Sequence, residues 1–263
     1  MVAYRSVLIT GASSGLGRAL AEACAAPGVG LHLSGRDTER LEAAAQACRA
    51  RGATACARVL DVRDAAAMAE WIEAAGRLDL VVANAGISAG TGDGRPEAAA
   101  QARAVFAANL DGVLNTALPA LASMRAQAPG PDGVRGRIAA VASIAAFVPA
   151  PGAPAYCASK AAVDAWTVAA AEMARREGIV MTSLCPGYVR TAMTARNRFP
   201  MPGLMDADRA ARIMLRGIAA GRRRVVFPWW MGVAARLVGL MPPRLSGALL
   251  AISPGKDGLP GGA

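Results

Sequence analysis

The stretch Tyr156-Cys157-Ala158-Ser159-Lys160 places a phenol and an ammonium group four residues apart. On a helix that spacing puts both side chains on one face, so both can reach a common cleft. Lys160 is one of only two lysines, with Lys256, in a chain that otherwise uses arginine for positive charge. Such a pair can move a proton. A free tyrosine titrates near pH 10, and bringing it to neutrality takes roughly three units, or about 4 kcal/mol. A cation at about 4 Å supplies about 4 kcal/mol at an effective dielectric near 20. A third group, Ser143, ends a predicted strand, on the edge where open α/β sheets bind ligands.

A second constellation lies near the start. Gly11, Gly15 and Gly17 in Thr10-Gly11-Ala12-Ser13-Ser14-Gly15-Leu16-Gly17 allow a sharp turn and close approach of backbone to an anion. The helix that follows points free N–H groups and its positive dipole end at that anion. The same stretch fits G-x-S-x-G, the nucleophile-elbow pattern. A hydrolase of that kind needs a histidine late in the chain. The one histidine, His32, lies on the second predicted strand, which argues against the hydrolase.

The elements that must carry these residues alternate strictly. Strands are predicted at Ser6–Thr10, Leu31–Ser34, Thr54–Leu60, Leu78–Ala83, Arg137–Ala142 and Ile179–Leu184. Helices are predicted at Gly15–Ala26, Asp37–Ala50 (capped by Asp37 or Thr38), Ala65–Ala75, Glu97–Gln127 and Pro154–Arg176. Strands apolar on both faces and separated by helices imply a single doubly wound parallel sheet of the Rossmann type, with helices on both faces. The 263 residues are 54% hydrophobic and 18% charged, which allows a large core and excludes disorder. We expect one catalytic domain over 1–252 and a flexible tail over 253–263.

Together the serine, the Y-x-x-x-K pair and the glycine loop resemble the short-chain dehydrogenase/reductase family. Further marks are Asp61-Val62, Asn84-Ala85-Gly86, Asn109 within Ala108-Asn109-Leu110, and Pro186-Gly187-Tyr188-Val189-Arg190-Thr191. The resemblance covers roughly residues 5–192. It departs at Ala83, where the family often has a second asparagine. It implies that Tyr156 is the general acid in carbonyl reduction and the general base in alcohol oxidation. It implies that Ser143 binds the substrate oxygen, that Lys160 holds the nicotinamide ribose and lowers the tyrosine pKa, and that Asn109 positions a relay water. The cofactor contacts implied are Gly11, Ser13, Ser14, Gly15, Leu16, Gly17, Asp61, Val62, Asn84, Ala85, Gly86, Tyr156, Lys160, Pro186, Gly187, Val189 and Thr191. Asp61 and Val62 would meet adenine, and Thr191 the nicotinamide carboxamide.

Cofactor choice can be read from Leu33-Ser34-Gly35-Arg36-Asp37. Gly35 stands where NAD-preferring relatives place an acid, and Arg36 offers a guanidinium to a 2′-phosphate, so NADP(H) is expected. The segment 192–205 corresponds to the family's substrate loop. Its Met193, Phe199, Met201, Leu204 and Met205 point to a lipophilic carbonyl or alcohol. The family is usually dimeric or tetrameric, so a homo-oligomer is expected. A non-catalytic NADP(H) sensor or scaffold on the same fold is the alternative function. Retention of all four chemical residues argues against it.

The formal net charge of +10 has no recognisable nucleic-acid reading module, so no nucleic-acid partner is expected. Its one dense run, Arg222 to Arg224, reads as a solvated helix end. The segment 222–252 mixes arginines with Trp229-Trp230 and further apolar residues, with no uncharged window of about 20 residues that could span a bilayer. Substrate cover, subunit interface and peripheral membrane contact all stay open for it. Five cysteines without C-x-x-C spacing, and no secretory signal before the first strand, point to reduced thiols and a cytoplasmic setting, at the membrane periphery if the tail docks there.

Overall fold

The computed structural model describes residues 4–92, 96–197, 199–251 and 258. The chain runs β1 (Ser6–Thr10), α1 (Gly15–Cys24), β2 (Gly30–Gly35), α2 (Thr38–Arg49), β3 (Thr54–Val59), α3 (Ala65–Ala74) and β4 (Leu80–Ala83). It continues with α4 (Ala99–Phe106), a π turn (Ala107–Asp111), α5 (Gly112–Ala126), β5 (Gly136–Val141), a 3-10 turn (Ile144–Phe147), α6 (Pro154–Arg176) and β6 (Ile179–Pro186). The two-residue strands β7 (Val189–Arg190) and β8 (Met205–Asp206), α7 (Ala207–Ala219), β9 (Arg224–Phe227), α8 (Trp229–Gly239) and α9 (Pro243–Ala251) complete it.

Seven strands form one parallel sheet in the order β3-β2-β1-β4-β5-β6-β9, and β7 pairs with β8 separately. Successive side chains of β1 point to opposite faces, and each face has its own helices. Val7 and Ile9 pack with Leu20 of α1, Leu41 of α2 and Met214 of α7. Leu8 packs with Met68 and Ile72 of α3 and Leu121 and Met124 of α5. The chain order reverses between β1 and β4, which opens a crevice at the carboxyl ends of the strands.

Three departures from the sequence reading bear on the site. The predicted helix 97–127 is interrupted at Ala107–Asp111 by a π turn, and that turn contains Asn109. The basic run is a solvated helix end only in part: Arg222 N closes the end of α7 on the Gly217 carbonyl and Arg222 and Arg223 are exposed, but Arg224 begins a seventh strand. Its guanidinium grips the Asp164 carboxylate of α6 through Nε at 2.8 Å and Nη2 at 2.7 Å. Helix α7, over residues 207–219, was not anticipated. The expected tail lies outside the described residues apart from Gly258.

Candidate active site

The glycine loop leaves β1 and enters α1 with Gly11 at φ +67°. Thr10 Oγ1 accepts hydrogen bonds from the backbone N–H groups of Asn84 and Ala85, at 3.0 and 3.1 Å. Asn84 Nδ2 returns a bond to the Thr10 carbonyl at 2.9 Å. The segment after β4 is thereby stitched to the loop. A Cβ at Gly17 would lie 2.2 Å from the Gly11 carbonyl oxygen and 2.5 Å from Asn84 Nδ2, so only glycine fits. Ser14 caps α1 by backbone alone, without a side-chain bond to the first turn.

These residues open one side of a cleft of about 700 Å³. Its floor and walls bring together Gly11, Ser13, Ser14, Gly15, Leu16, Gly17, Arg36, Asp61, Val62, Asn84, Ala85, Gly86, Ser143, Tyr156, Lys160, Pro186, Gly187, Val189 and Thr191. All the sequence-predicted site residues except Asn109 therefore line one space. Thr191 lies against Gly15, since a Cβ there would come 3.0 Å from Thr191 Cγ2. It is placed at the glycine loop, which the expected carboxamide contact did not specify.

At one end of the cleft, β2 finishes in Ser34 and Gly35. Ser34 Oγ is fully buried and has no hydrogen-bond partner. Asp37 is spent locally. It caps α2 by accepting from Arg40 N at 3.0 Å, and it holds Arg40 Nε at 2.7 Å. The Arg40 bonds keep the Asp37 carboxyl below its ordinary range. Asp61 is gripped by Arg63 through Nε and Nη2, and the charge of Arg36 adds to lowering its pKa. Among the described residues Arg36 itself has no hydrogen-bonded or ion-paired partner. Arg40 and Arg63 also line this end, and sequence reasoning missed both. Arg40 carried a usable signal, since it falls in the first turn of the predicted helix that Asp37 or Thr38 caps, close in sequence to Arg36.

At the other end, β5 delivers Ser143 two residues past its last paired position, as the cap of the 3-10 turn. Its Oγ accepts from Ala145 N at 3.1 Å. Tyr156 and Lys160 descend from the first turns of α6, both buried. The Tyr156 phenol shares a hydrogen bond with Ser143. Lys160 Nζ donates to the Val141 carbonyl at 2.7 Å, which fixes the ammonium beneath the cleft.

One expectation about this end is corrected. The phenol is not brought toward neutrality by the chain's own groups. Burial pushes its pKa above 10.0, and the bond to Ser143 offsets this only in part. Removal of the phenol from water disfavours phenolate more strongly than that bond favours it. The Asn109 side chain does not itself line the cleft. It is fully buried, with Oδ1 accepting from Ile87 N at 2.8 Å and Nδ2 donating to the Ile87 carbonyl at 3.0 Å and Ser159 Oγ at 3.1 Å. It braces the 86–87 backbone from behind, and a Cβ at Gly86 would meet its Oδ1 at 2.8 Å.

Of the predicted apolar loop residues, Met193 lines the cleft. Phe199 meets Tyr188 edge-on at 6.0 Å, Met201 Sδ accepts from Asn197 Nδ2 at 3.4 Å, and Met205 packs on the core. Ile87, Ser88 and Arg196 line the same cleft and were not anticipated. His32 is on β2, away from the cleft, with its pKa lowered by burial. The serine of G-x-S-x-G therefore has no base. All five cysteines are free thiols.

The family model for short chain dehydrogenases matches residues 5–200. An uncharacterized oxidoreductase of Myxococcus xanthus is 37% identical over 248 residues, covering 92% of this chain and 94% of its own length. The solved structure of a short-chain dehydrogenase from Sphingobium yanoikuyae in complex with NADPH superposes with a TM-score of 0.77 at 27% identity, covering 94% of each chain. A short chain dehydrogenase/reductase from Burkholderia phymatum in complex with NAD gives a TM-score of 0.79 at 25% identity, covering 90% of this chain and 94% of its own. The chain belongs to the short-chain dehydrogenase/reductase family and is an oxidoreductase.

Proposed function

We propose that the protein reduces the carbonyl group of a lipophilic substrate with NADPH. The observation that carries the cofactor choice is the state of the three residues at and after the end of β2. Gly35 contributes no carboxylate, Asp37 is tied to Arg40, and Arg36 faces the cleft with no bonded partner among the described residues. A 2′-phosphate placed there meets a guanidinium and no unpaired acid.

The chain fits a bound dinucleotide on further grounds. The Gly11–Gly17 cradle would be closed by a Cβ, and the buried, unpartnered Ser34 Oγ lies beside the Arg36 end. Gly15, Leu16 and the uncapped first turn of α1 would hold the pyrophosphate, and Lys160 the nicotinamide ribose. When bound, the reduced nicotinamide supplies a hydride to the carbonyl carbon. Tyr156 gives its proton to the carbonyl oxygen, and Ser143 donates a hydrogen bond to the same oxygen. A phenol held above its ordinary pKa is fully protonated at neutral pH, the state a donor must be in. Met193, Ile87 and Ala192 give the substrate end an apolar wall, which supports a lipophilic substrate.

The test is Arg36→Ala. A charge-assisted hydrogen bond contributes about 1.5–3 kcal/mol, so NADPH affinity should fall roughly ten- to 150-fold while NADH affinity holds. Equal losses for both cofactors would remove the basis for the assignment. Titration by nucleotide fluorescence gives both constants.

A further inference from the structure

We infer that the helix pair α8–α9 is a docking surface for an anionic lipid bilayer. Trp229, Val233, Leu237 and Leu240 recur at spacings of four, four and three, so they form one stripe along α8. The stripe faces outward. Trp229 is 74% exposed and Leu240 81%, while Gly232 and Ala235 on the opposite face are buried. Leu245 and Leu249 extend the apolar surface along α9. An apolar helix face of this size turned to solvent calls for an occupant.

Charge decides which occupant. From Arg209 to Ser253 the sequence holds eight arginines and no carboxylate. Two of those arginines, Arg236 and Arg244, lie on the helix pair itself and have no carboxylate partner among the described residues. A second copy meeting this face across a two-fold axis would set arginine against arginine. An anionic membrane surface meets it with opposite charge, and exposed tryptophans suit the headgroup level.

The geometry is that of a helix lying in the interface rather than crossing it. The 11 residues of α8 extend about 16 Å, against a hydrocarbon core of about 30 Å, and Pro242-Pro243 separates α8 from α9. The surface is also joined to the cleft. The Arg236 guanidinium stacks 4.3 Å from the Phe147 ring centre, on the turn that follows Ser143. A Cβ at Gly187, a residue of the cleft wall, would lie 2.9 Å from Met231 Sδ. Docking through α8 thus sets the substrate end of the cleft close to the bilayer. The inference rests on this surface and not on the cofactor assignment.

The test is co-sedimentation of the full chain with vesicles of phosphatidylcholine alone or with about 30% phosphatidylglycerol. At roughly fivefold per engaged arginine, two arginines predict binding about 25-fold tighter on the anionic vesicles, weakening as salt is raised. Trp229→Glu combined with Leu240→Glu should lower that binding at least about tenfold while leaving NADPH affinity and thermal midpoint unchanged. In the unaltered protein, brominated lipid should quench emission from Trp229 and Trp230, which are exposed where Trp71 is buried. This second readout holds even if the double variant fails to fold. The inference is overturned by equal binding to both vesicle types, by absence of quenching, or by a variant that turns an oligomer into a monomer without changing vesicle binding. The last result would assign the face to a second copy.

Discussion

Tyr156→Phe should lower the turnover number for carbonyl reduction by about 10²–10⁴-fold, the range for loss of a positioned general acid, with NADPH affinity unchanged. The substitution removes one oxygen and keeps the ring, which packs with Ala89, Val105 and Ala153. Fold and cleft shape are therefore preserved, and the loss falls on turnover rather than on binding. Stopped-flow measurement of NADPH oxidation, alongside fluorescence titration of NADPH, separates the two. Unchanged turnover would remove Tyr156 from the chemistry. The pH profile carries a second signature. Burial holds the phenol pKa above 10.0, so the donor stays protonated through neutrality. The reductive rate assigned to it should decline on the alkaline side only above about pH 10.

Asp164→Ala should destabilise the protein by about 3 kcal/mol, the low end of the range for breaking a buried ion pair. The low end applies because Asp164 is 8% exposed but Arg224 is 34% exposed and keeps some hydration. For a chain of this size the thermal midpoint should fall by roughly 6–12 °C, readable by calorimetry. The variant also orphans Ser183 Oγ, which donates to Asp164 at 2.6 Å. Replacing both charges, as Asp164→Leu with Arg224→Met, should recover much of the loss, because the penalty comes from a half-buried cation left without its partner. The pair also imposes a pH dependence. Burial raises the Asp164 carboxyl, but Arg224 and Ser183 outweigh it and leave the folded pKa below 3.8. Its stabilisation is fully present above 3.8 and is lost as pH falls through the lowered folded value. The acid limb of the stability curve should be shallower in Asp164→Ala.

Strands β1, β2, β4, β5 and β6 were legible because each is a short, mostly apolar run bounded by turn residues, and burial in the sheet erases polar alternation, whereas the edge strand β3 is largely exposed and was legible from its β-forming residues and flanking turns. The glycine loop was legible because its geometry admits few residue types. What escaped depended on distant partners. Arg224-Val225-Val226-Phe227 opens with a charge that looks solvated until Asp164, sixty residues earlier, is placed beside it. The π turn around Asn109 leaves no periodic trace, since its one widened turn sits inside a continuous helical pattern. The raised phenol pKa was missed for a related reason. The arithmetic from Lys160 considered one favourable charge, whereas burial of Tyr156 is set by residues from several elements. Arg40 and Arg63 were hidden among the many arginines, and only the cleft distinguishes them from the rest.

The strand order β3-β2-β1-β4-β5-β6-β9 has a consequence for synthesis on the ribosome. Growth starts inside the sheet, and β4, β5, β6 and β9 are added to the same side in the order in which they emerge. The nucleotide half can therefore assemble while the remainder is still being made. Strand β6, buried along nearly its whole length in the finished fold, presents an unpaired edge until residues 224–227 arrive to close it. A nascent chain stalled between about residue 190 and residue 220 would hold a nearly complete cleft beside an open, adhesive edge. Arg224 closes that edge and at the same moment neutralises Asp164 on the catalytic helix.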